Sequence, residues 1–448
     1  MTLPNPFLPH LITPLPGPNT AELIRQDHRY LSTSYTRGYP LSIAKGEGAM
    51  VTDLDGNRFL DFCAGIAVCS TGHSHPAVVQ AIKDQADNFL HMSGTDFYYE
   101  GMVTLAKKLD ALSPGLCAKR VYLANSGTEA VEATLKLARF HTGRPNIISF
   151  FRSFHGRTFG SMSVTASKAI QKARFGPLLP GVFHAHYPYP YRDVFNSGSE
   201  EACVDNCLNY IRNLLFKTVV PPNEVAAFLV EPIQGEGGYL RPPASFLLGL
   251  QALAKEHGIL IISDEVQAGV GRTGQFWGCQ LVEGYEPHII ASAKGLASGL
   301  PLGAVIAGDC IMKWPPGAHA STFGGNPVAC AAAIATLELV EGQYMANART
   351  QGERLMTGLR HLQHGYPQLG DVRGAGLMVG VELVSDATTK AKAPKLANDI
   401  VNACFERGLL LLTCGENSIR FSPPLVITAE QTDCALTIFE DALKASLP

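Results

Sequence analysis

From Arg120 onward the chain alternates short apolar runs with stretches of helical period. RVYLA precedes NSGTEAVEATLKLARFHTG, and NIISFF follows; VAAFLVEPI opens a further unit, and the helical Ser245–Glu256 leads into ILIIS. Short unbroken apolar runs separated by helices predict a mostly parallel sheet with helices on both faces. Ahead of this region, Gly48–Phe62 alternates apolar and polar residues around Asp55-Gly56, which is a hairpin signal. Residues 21–35 read as a helix with Asn19 or Thr20 as N-cap, and Pro76 suits the first position of a helix running to about Leu90. Gly101–Leu112 is also helical. Beyond Gly325, NPVACAAAIATLELVEG predicts an alanine-rich helix that continues through Leu362 with a break near Gly342. The apolar runs VRGAGLMVGVELV, LLLLT and SIRFSPPL, with helices at 394–406 and 429–445, then make an α+β pattern. The expected division is an N-terminal segment of residues 1–78, a large domain of 79–338 and a small C-terminal domain of 339–448.

Composition narrows the class. A chain of 448 residues is long enough for two or three domains. Its formal net charge of −3, with no run of like charges, gives no footprint for nucleic acid or an anionic membrane. Eleven cysteines are scattered without a CxxC pair, which favours reduced thiols and a cytoplasmic location. The first twenty residues hold six prolines and lack the basic and apolar regions of a signal peptide; they are expected to lie extended over the surface or a partner subunit. No apolar run is long enough for a membrane span.

Candidate chemistry concentrates at the ends of the predicted strands. The run Ile259–Ile262 ends in Asp264, and the run His288–Ala291 ends beside Lys294. Open α/β sheets place ligands at the carboxyl ends of their strands. A lysine there can form a Schiff base and an acid can pair with a pyridinium nitrogen, the skeleton of a pyridoxal phosphate site. Asn125-Ser126-Gly127-Thr128, between strand and helix, reads either as a plain N-cap or as an anion site. Gly269–Gly274 matches GxGxxG, but Gln275-Phe276-Trp277-Gly278 is a poor helix start and Asp264 and Glu265 crowd the cleft, so a nicotinamide reading is rejected. The pairs His73/His75 and His184/His186 lack an acid or thiol at ligand spacing and read as structural, with no metal expected. Glu236, Arg157, Arg420 and Thr322 are, one by one, ordinary loop or strand polar residues.

Together the motifs are specific. NSGTEAVE, SFHGRTFGSM, EPIQGEGG, SDEVQAGVGRTG, SAKG and STFGGNP, in that order, resemble the class III pyridoxal-phosphate aminotransferases of fold type I, from about Pro40 to the C-terminus. FCAGIAVCSTGHSHP and HGRT are most similar to 4-aminobutyrate aminotransferases, with ornithine and acetylornithine aminotransferases nearby. The resemblance implies an α/β large domain with a mostly parallel seven-stranded sheet, a smaller α+β domain and pyridoxal 5'-phosphate as cofactor. It also implies a homodimer with shared active sites.

By position, Lys294 would form the internal aldimine and shuttle the proton, and Asp264 would pair with the pyridinium nitrogen. Val266 and Phe154 would cover the two ring faces, Gln267 would reach the phenolic oxygen, and His155 would join the cofactor contacts. Ser126, Gly127 and Thr128 resemble the phosphate cup, completed by Thr322 of the neighbouring subunit. Arg420 would bind an α-carboxylate, with Glu236 covering it when the donor has none. Arg157 would bind the distal carboxylate, and Ile66 and Glu231 would line the substrate pocket. The implied reaction is ping-pong transfer of the amino group of an ω-amino acid to 2-oxoglutarate. PGPNTAELIRQDHRYLSTSYTRGYPL and HMSGTDFYYEGMVTLAKKL instead resemble a racemase and 2-epimerase subgroup on the same scaffold, in which the carbanion is reprotonated from the opposite face.

Overall fold

A computed structural model describes residues 5–115 and 117–447. Seven strands make the central sheet: β1 (Lys119–Ala124), β2 (Asn146–Phe150), β3 (Val182–Ala185), β4 (Val225–Val230), β5 (Leu260–Asp264), β6 (Ile289–Ser292) and β7 (Gly303–Gly308). Their spatial order is β1-β7-β6-β5-β4-β2-β3. β7 runs against both of its neighbours, and the other four pairings are parallel. The mostly parallel, seven-stranded α/β sheet is therefore present. Every residue of β2, β4, β5, β6 and β7 is buried, which accounts for their unbroken apolar runs. Side chains alternate between two cores: Ile147, Leu229, Ile262 and Ile289 enter one, and Ile148, Phe228, Ile261 and Ile290 enter the other. The reversal of β7 matters for the site. It brings the carboxyl ends of β1, β2, β4, β5 and β6 to one edge, together with the start of β7.

Several elements depart from the expected pattern. The first helix is Pro18–Tyr30, earlier than 21–35, and Gly17 occupies its N-cap without a side-chain bond. Asn19 and Thr20 do not cap it. Their N–H groups instead donate to the Asp55 carboxylate, at 2.9 Å each, from the turn of the predicted hairpin. That hairpin pairs Met50–Thr52 with Arg58–Asp61. The run VRGAGLMVGVELV folds into two antiparallel strands, Leu369–Ala375 and Met378–Asp386, turning at Gly376 with φ +52°. LLLLT also divides. Leu409–Leu410 pairs with Arg58–Asp61, whereas Leu412–Cys414 pairs with Ser418–Phe421, so one apolar run serves two sheets.

Other features match the pattern. The alanine-rich helix Pro327–Leu339 widens into a π-helical turn over Val340–Tyr344, around Gly342, and resumes as Met345–Gly365. Gly269–Gly274 is a series of turns, with φ +80° at Gly271 and +83° at Gly274, and the next helical segment is the short 3-10 turn Gly278–Leu281. His75 caps the helix Pro76–Asn88, its Nδ1 accepting from Ala77 N at 3.2 Å, and His73 bonds Asp61 at 2.8 Å. Among the described residues no helix is long and apolar enough to cross a membrane.

Candidate active site

The strand ends enclose a cavity of about 440 Å³, within the range of small-molecule sites. Asn125–Thr128 follow β1, Phe154–Arg157 lie on the loop after β2, and Glu231 follows β4. Asp264, Val266 and Gln267 come from the end of β5, and Ala293 and Lys294 from the end of β6. The register pairs Asp264 with Ala291, which is why the acid and the lysine arrive side by side.

Lys294 has φ +44°, a left-handed conformation that costs a side-chain-bearing residue about 1–3 kcal/mol. The turn that follows holds it there, with Leu296 N donating to Ala293 O at 3.0 Å. Burial, and then the charge of Arg420, draw its amine down to about 8. Asp264 is fixed from two directions: Oδ2 lies 2.7 Å from His155 Nδ1, and Oδ1 accepts from Val266 N at 3.0 Å. Asp264 and His155 are both buried. Glu231 accepts from Phe154 N at 3.0 Å and Gly235 N at 2.8 Å, tying the loop after β2 to the EPIQGEGG loop. Its burial pushes the carboxyl up to about 7.

The helix Gly127–Thr142 points its N-terminus into the cavity, and Ser126 Oγ accepts from Glu129 N at 3.3 Å. Thr128 Oγ1 bonds Ser161 Oγ and Thr158 Oγ1, at 2.5 and 2.8 Å, so this helix start is tied to the HGRT loop. Gly156, at φ +139°, has no room for a side chain, because a Cβ would lie 2.3 Å from Thr128 Oγ1. At Gly127 a Cβ would lie 2.9 Å from Val266 Cγ1, so the helix start closes directly on Val266, two residues beyond Asp264.

Arg420, on the strand Ser418–Phe421, and Glu236 stand beside the cavity, near enough for both to act on the Lys294 charge. Arg420 Nη1 donates to Glu236 Oε1 at 2.6 Å. Burial works against the Glu236 charge, but Arg420 and then Lys168 outweigh it and hold the carboxyl below its ordinary range. Arg157 is exposed on the cavity wall, its guanidinium 5.6 Å from the centre of the Phe154 ring. Two other residues stand apart. Ile66 is exposed and outside the wall, which Val68 reaches instead, and Thr322 is exposed on a loop outside it. The wall also includes Leu300, Pro301 and Leu302 ahead of β7, which no motif marked because they carry no polar chemistry.

The cavity fits pyridoxal phosphate. A lysine with a lowered pKa and a fixed acid stand on adjacent strand ends, and helix-start N–H groups, suited to a phosphate, open into the same space. Gln267 Oε1 is buried on the wall without a hydrogen-bond partner among the described residues, a polar group left for a ligand.

Comparison with known proteins agrees. A family model for class-III aminotransferases matches residues 32–443. The chain is 39% identical over 446 residues to an alanine/serine racemase of Pyrococcus horikoshii, covering 98% of this chain and 93% of that one. It is 40% identical over 427 residues to a 4-aminobutyrate aminotransferase of Mycobacterium tuberculosis, covering 94% of each. A thermostable (S)-enantioselective omega-transaminase from Thermomicrobium roseum superposes with a TM-score of 0.89 at 32% identity, over 96% of this chain and 99% of that one. The chain belongs to the class-III aminotransferases, a pyridoxal-phosphate-dependent family.

Proposed function

We propose that the protein transfers the amino group of an ω-amino acid of the 4-aminobutyrate type to 2-oxoglutarate, acting as a cytoplasmic homodimer with shared sites. The observation that carries this reading is the Arg420–Glu236 pair beside Lys294. Arg420 is buried, yet one hydrogen bond ties it to Glu236 and its Nε has no acceptor among the described residues. Such a guanidinium can exchange Glu236 for the two oxygens of a substrate α-carboxylate. With a donor that lacks an α-carboxylate, Glu236 stays in place, and no buried charge is left unpaired. Arg157, at the exposed side of the cavity, would take the distal carboxylate.

Bound pyridoxal phosphate supplies the electron sink for the carbon that loses its proton. Ser126, Gly127 and Thr128, with Thr322 of a second copy, would hold its phosphate. Asp264, steadied by His155, would face its ring nitrogen, and Gln267 its phenolic oxygen. Val266 and Phe154 would confine the ring, while Glu231 fixes the loop that carries Phe154. Lys294 Nζ would take the proton from the donor carbon that bears nitrogen, a task helped by a pKa near the working pH.

A racemase or 2-epimerase is the second reading, favoured by the likeness to the P. horikoshii racemase. It requires another acid–base group besides Lys294. Glu236 stands near enough to act on the Lys294 charge, but its pairing with Arg420 keeps it ionised, without a proton to return to the carbon. Glu231, the other carboxyl at the cavity, is engaged on both oxygens by Phe154 N and Gly235 N, and this arrangement supports transamination. Incubating the holoenzyme with L-amino acids and no keto acid separates the two. Accumulating D-enantiomer with no pyridoxamine form would sink the transaminase reading. A panel with 2-oxoglutarate, including ornithine and acetylornithine, ranks the donors. Glu236→Ala should lower kcat/KM for 4-aminobutyrate relative to glutamate by about tenfold or more, because only the former leaves Arg420 unpaired. Equal losses for both donors would remove the exchange.

A further inference from the structure

We infer that Lys168 receives Glu236 when a substrate α-carboxylate takes Arg420, so that donor choice is set by a three-residue switch. This rests on the exchange proposed above. Among the described residues, Arg420 and Lys168 are the cationic side chains within 4 Å of Glu236. The two carboxylate oxygens are divided between them: Oε1 is bonded to Arg420 Nη1 at 2.6 Å, and Oε2 lies 3.9 Å from Lys168 Nζ. The first contact is a hydrogen bond and the second is not yet one. Lys168 Nζ has no other hydrogen bond or ion pair among the described residues.

The backbones on both sides are fixed. Gly415 N donates to Glu236 O at 2.7 Å, and Lys168 O accepts from Gln171 N at 3.1 Å. The segment before Lys168 is hydrogen-bonded to the loop that leads to Phe154, through Ala166 N to Ser153 O at 2.8 Å and Arg152 N to Ala166 O at 2.9 Å. Only side chains need to rotate. The need for a second cation follows from charge. An incoming α-carboxylate and a displaced Glu236 would otherwise repel each other beside one guanidinium, and Glu236 would leave a mostly buried pair for nothing. The Lys168 side chain is 42% exposed and that of Glu236 18%, so the new pair would be moderate in strength and easily reversed. A donor without an α-carboxylate never moves Glu236 and does not call on Lys168.

The test uses the holoenzyme and the variants Lys168→Met and Lys168→Arg. Calorimetry measures the Kd of 2-oxoglutarate for the pyridoxal form, and steady-state kinetics compare L-glutamate with 4-aminobutyrate. Lys168→Met should raise that Kd about three- to fivefold, as suits a partly exposed pair. The same variant should lower the ratio of glutamate to 4-aminobutyrate kcat/KM by a similar factor, mainly through KM for glutamate. Lys168→Arg should restore most of both. A wild-type Kd and ratio in Lys168→Met would overturn the assignment, as would equal losses for the two donors. Glu236→Gln, measured in parallel, separates the possible failures. If it changes donor preference while Lys168→Met does not, the exchange stands and Lys168 has no part in it. If Glu236→Gln leaves donor preference unaltered, the exchange falls and Lys168 falls with it.

Discussion

Burial and the nearby Arg420 charge both oppose protonation of Lys294, so its amine titrates near 8 instead of near 10.5. The sign follows directly: a lowered lysine pKa makes the neutral nucleophile available at lower pH. At pH 7 about a tenth of the amine is neutral, against about one part in three thousand for an ordinary lysine. In apoprotein, covalent capture of added pyridoxal phosphate should therefore accelerate from pH 6 to about 8 and then level. Stopped-flow absorbance checks this, and a rate still climbing toward pH 10 would show an ordinary lysine. Arg420→Met removes the cation and frees Glu236, so the midpoint should move upward, while Lys294→Ala should leave nothing for borohydride to fix. The placement of Lys294 and Asp264 at neighbouring strand ends was legible because each follows a short apolar run, and the register of β5 and β6 aligns those runs. The pairing of Arg420 with Glu236 rests on two segments far apart in sequence, and only the ordered motifs of the family connected them. Lys168 was not legible, since a lone loop lysine carries no pattern.

At the scale of elements, close backbone approach decides where substitutions are tolerated. A Cβ on Gly303, the first residue of β7, would lie 2.4 Å from the carbonyl oxygen of Ser126. That neighbour is backbone, so the turn before the helix Gly127–Thr142 would have to move. Gly303→Ala should cost about 1–3 kcal/mol in urea unfolding and also weaken cofactor binding, because the displaced turn is a cavity wall. Gly342, in the π-helical turn, has nothing within 4 Å of such a Cβ, and Gly342→Ala should gain about 0.5–1 kcal/mol. Similar effects at both positions would mean that backbone proximity is not the cause. The same contrast explains what could be read in advance. Long helices show their period locally and doubly buried strands their unbroken apolar runs, and the break near Gly342 was visible within its own helix. The division of LLLLT between two sheets was not, because both halves are apolar and their partners lie at Arg58–Asp61 and Ser418–Phe421. The Asp55 bonds to Asn19 and Thr20 were hidden for the same reason: the partner is distant in sequence.

For the whole molecule, the decisive surface lies around Thr322. Its loop is joined to the cavity wall through Ser321 Oγ, which accepts from Asn125 Nδ2 at 3.1 Å. It is joined to the segment before Glu100 through Asn326 Nδ2, which donates to Leu90 O at 3.0 Å, and through the His91 and Phe323 rings, 4.9 Å apart. Leu90, Met92, Phe97, Tyr98 and Phe323 are all exposed on these two segments. A concentration of large apolar side chains beside a ligand cavity is the kind of surface that a second copy covers. If the proposed dimer forms here, Thr322 reaches the partner's phosphate site, and assembly and cofactor retention become one property. The wild-type protein should then sediment at twice the chain mass. A Tyr98→Asp, Phe323→Asp double variant should sediment as a monomer that releases pyridoxal phosphate more readily, although Lys294, Asp264 and the helix start are untouched. Thr322→Ala should weaken cofactor binding while leaving the dimer intact. A monomeric double variant that held the cofactor as tightly as the wild type would show that each chain completes its own phosphate site, and the shared-site reading would have to be abandoned.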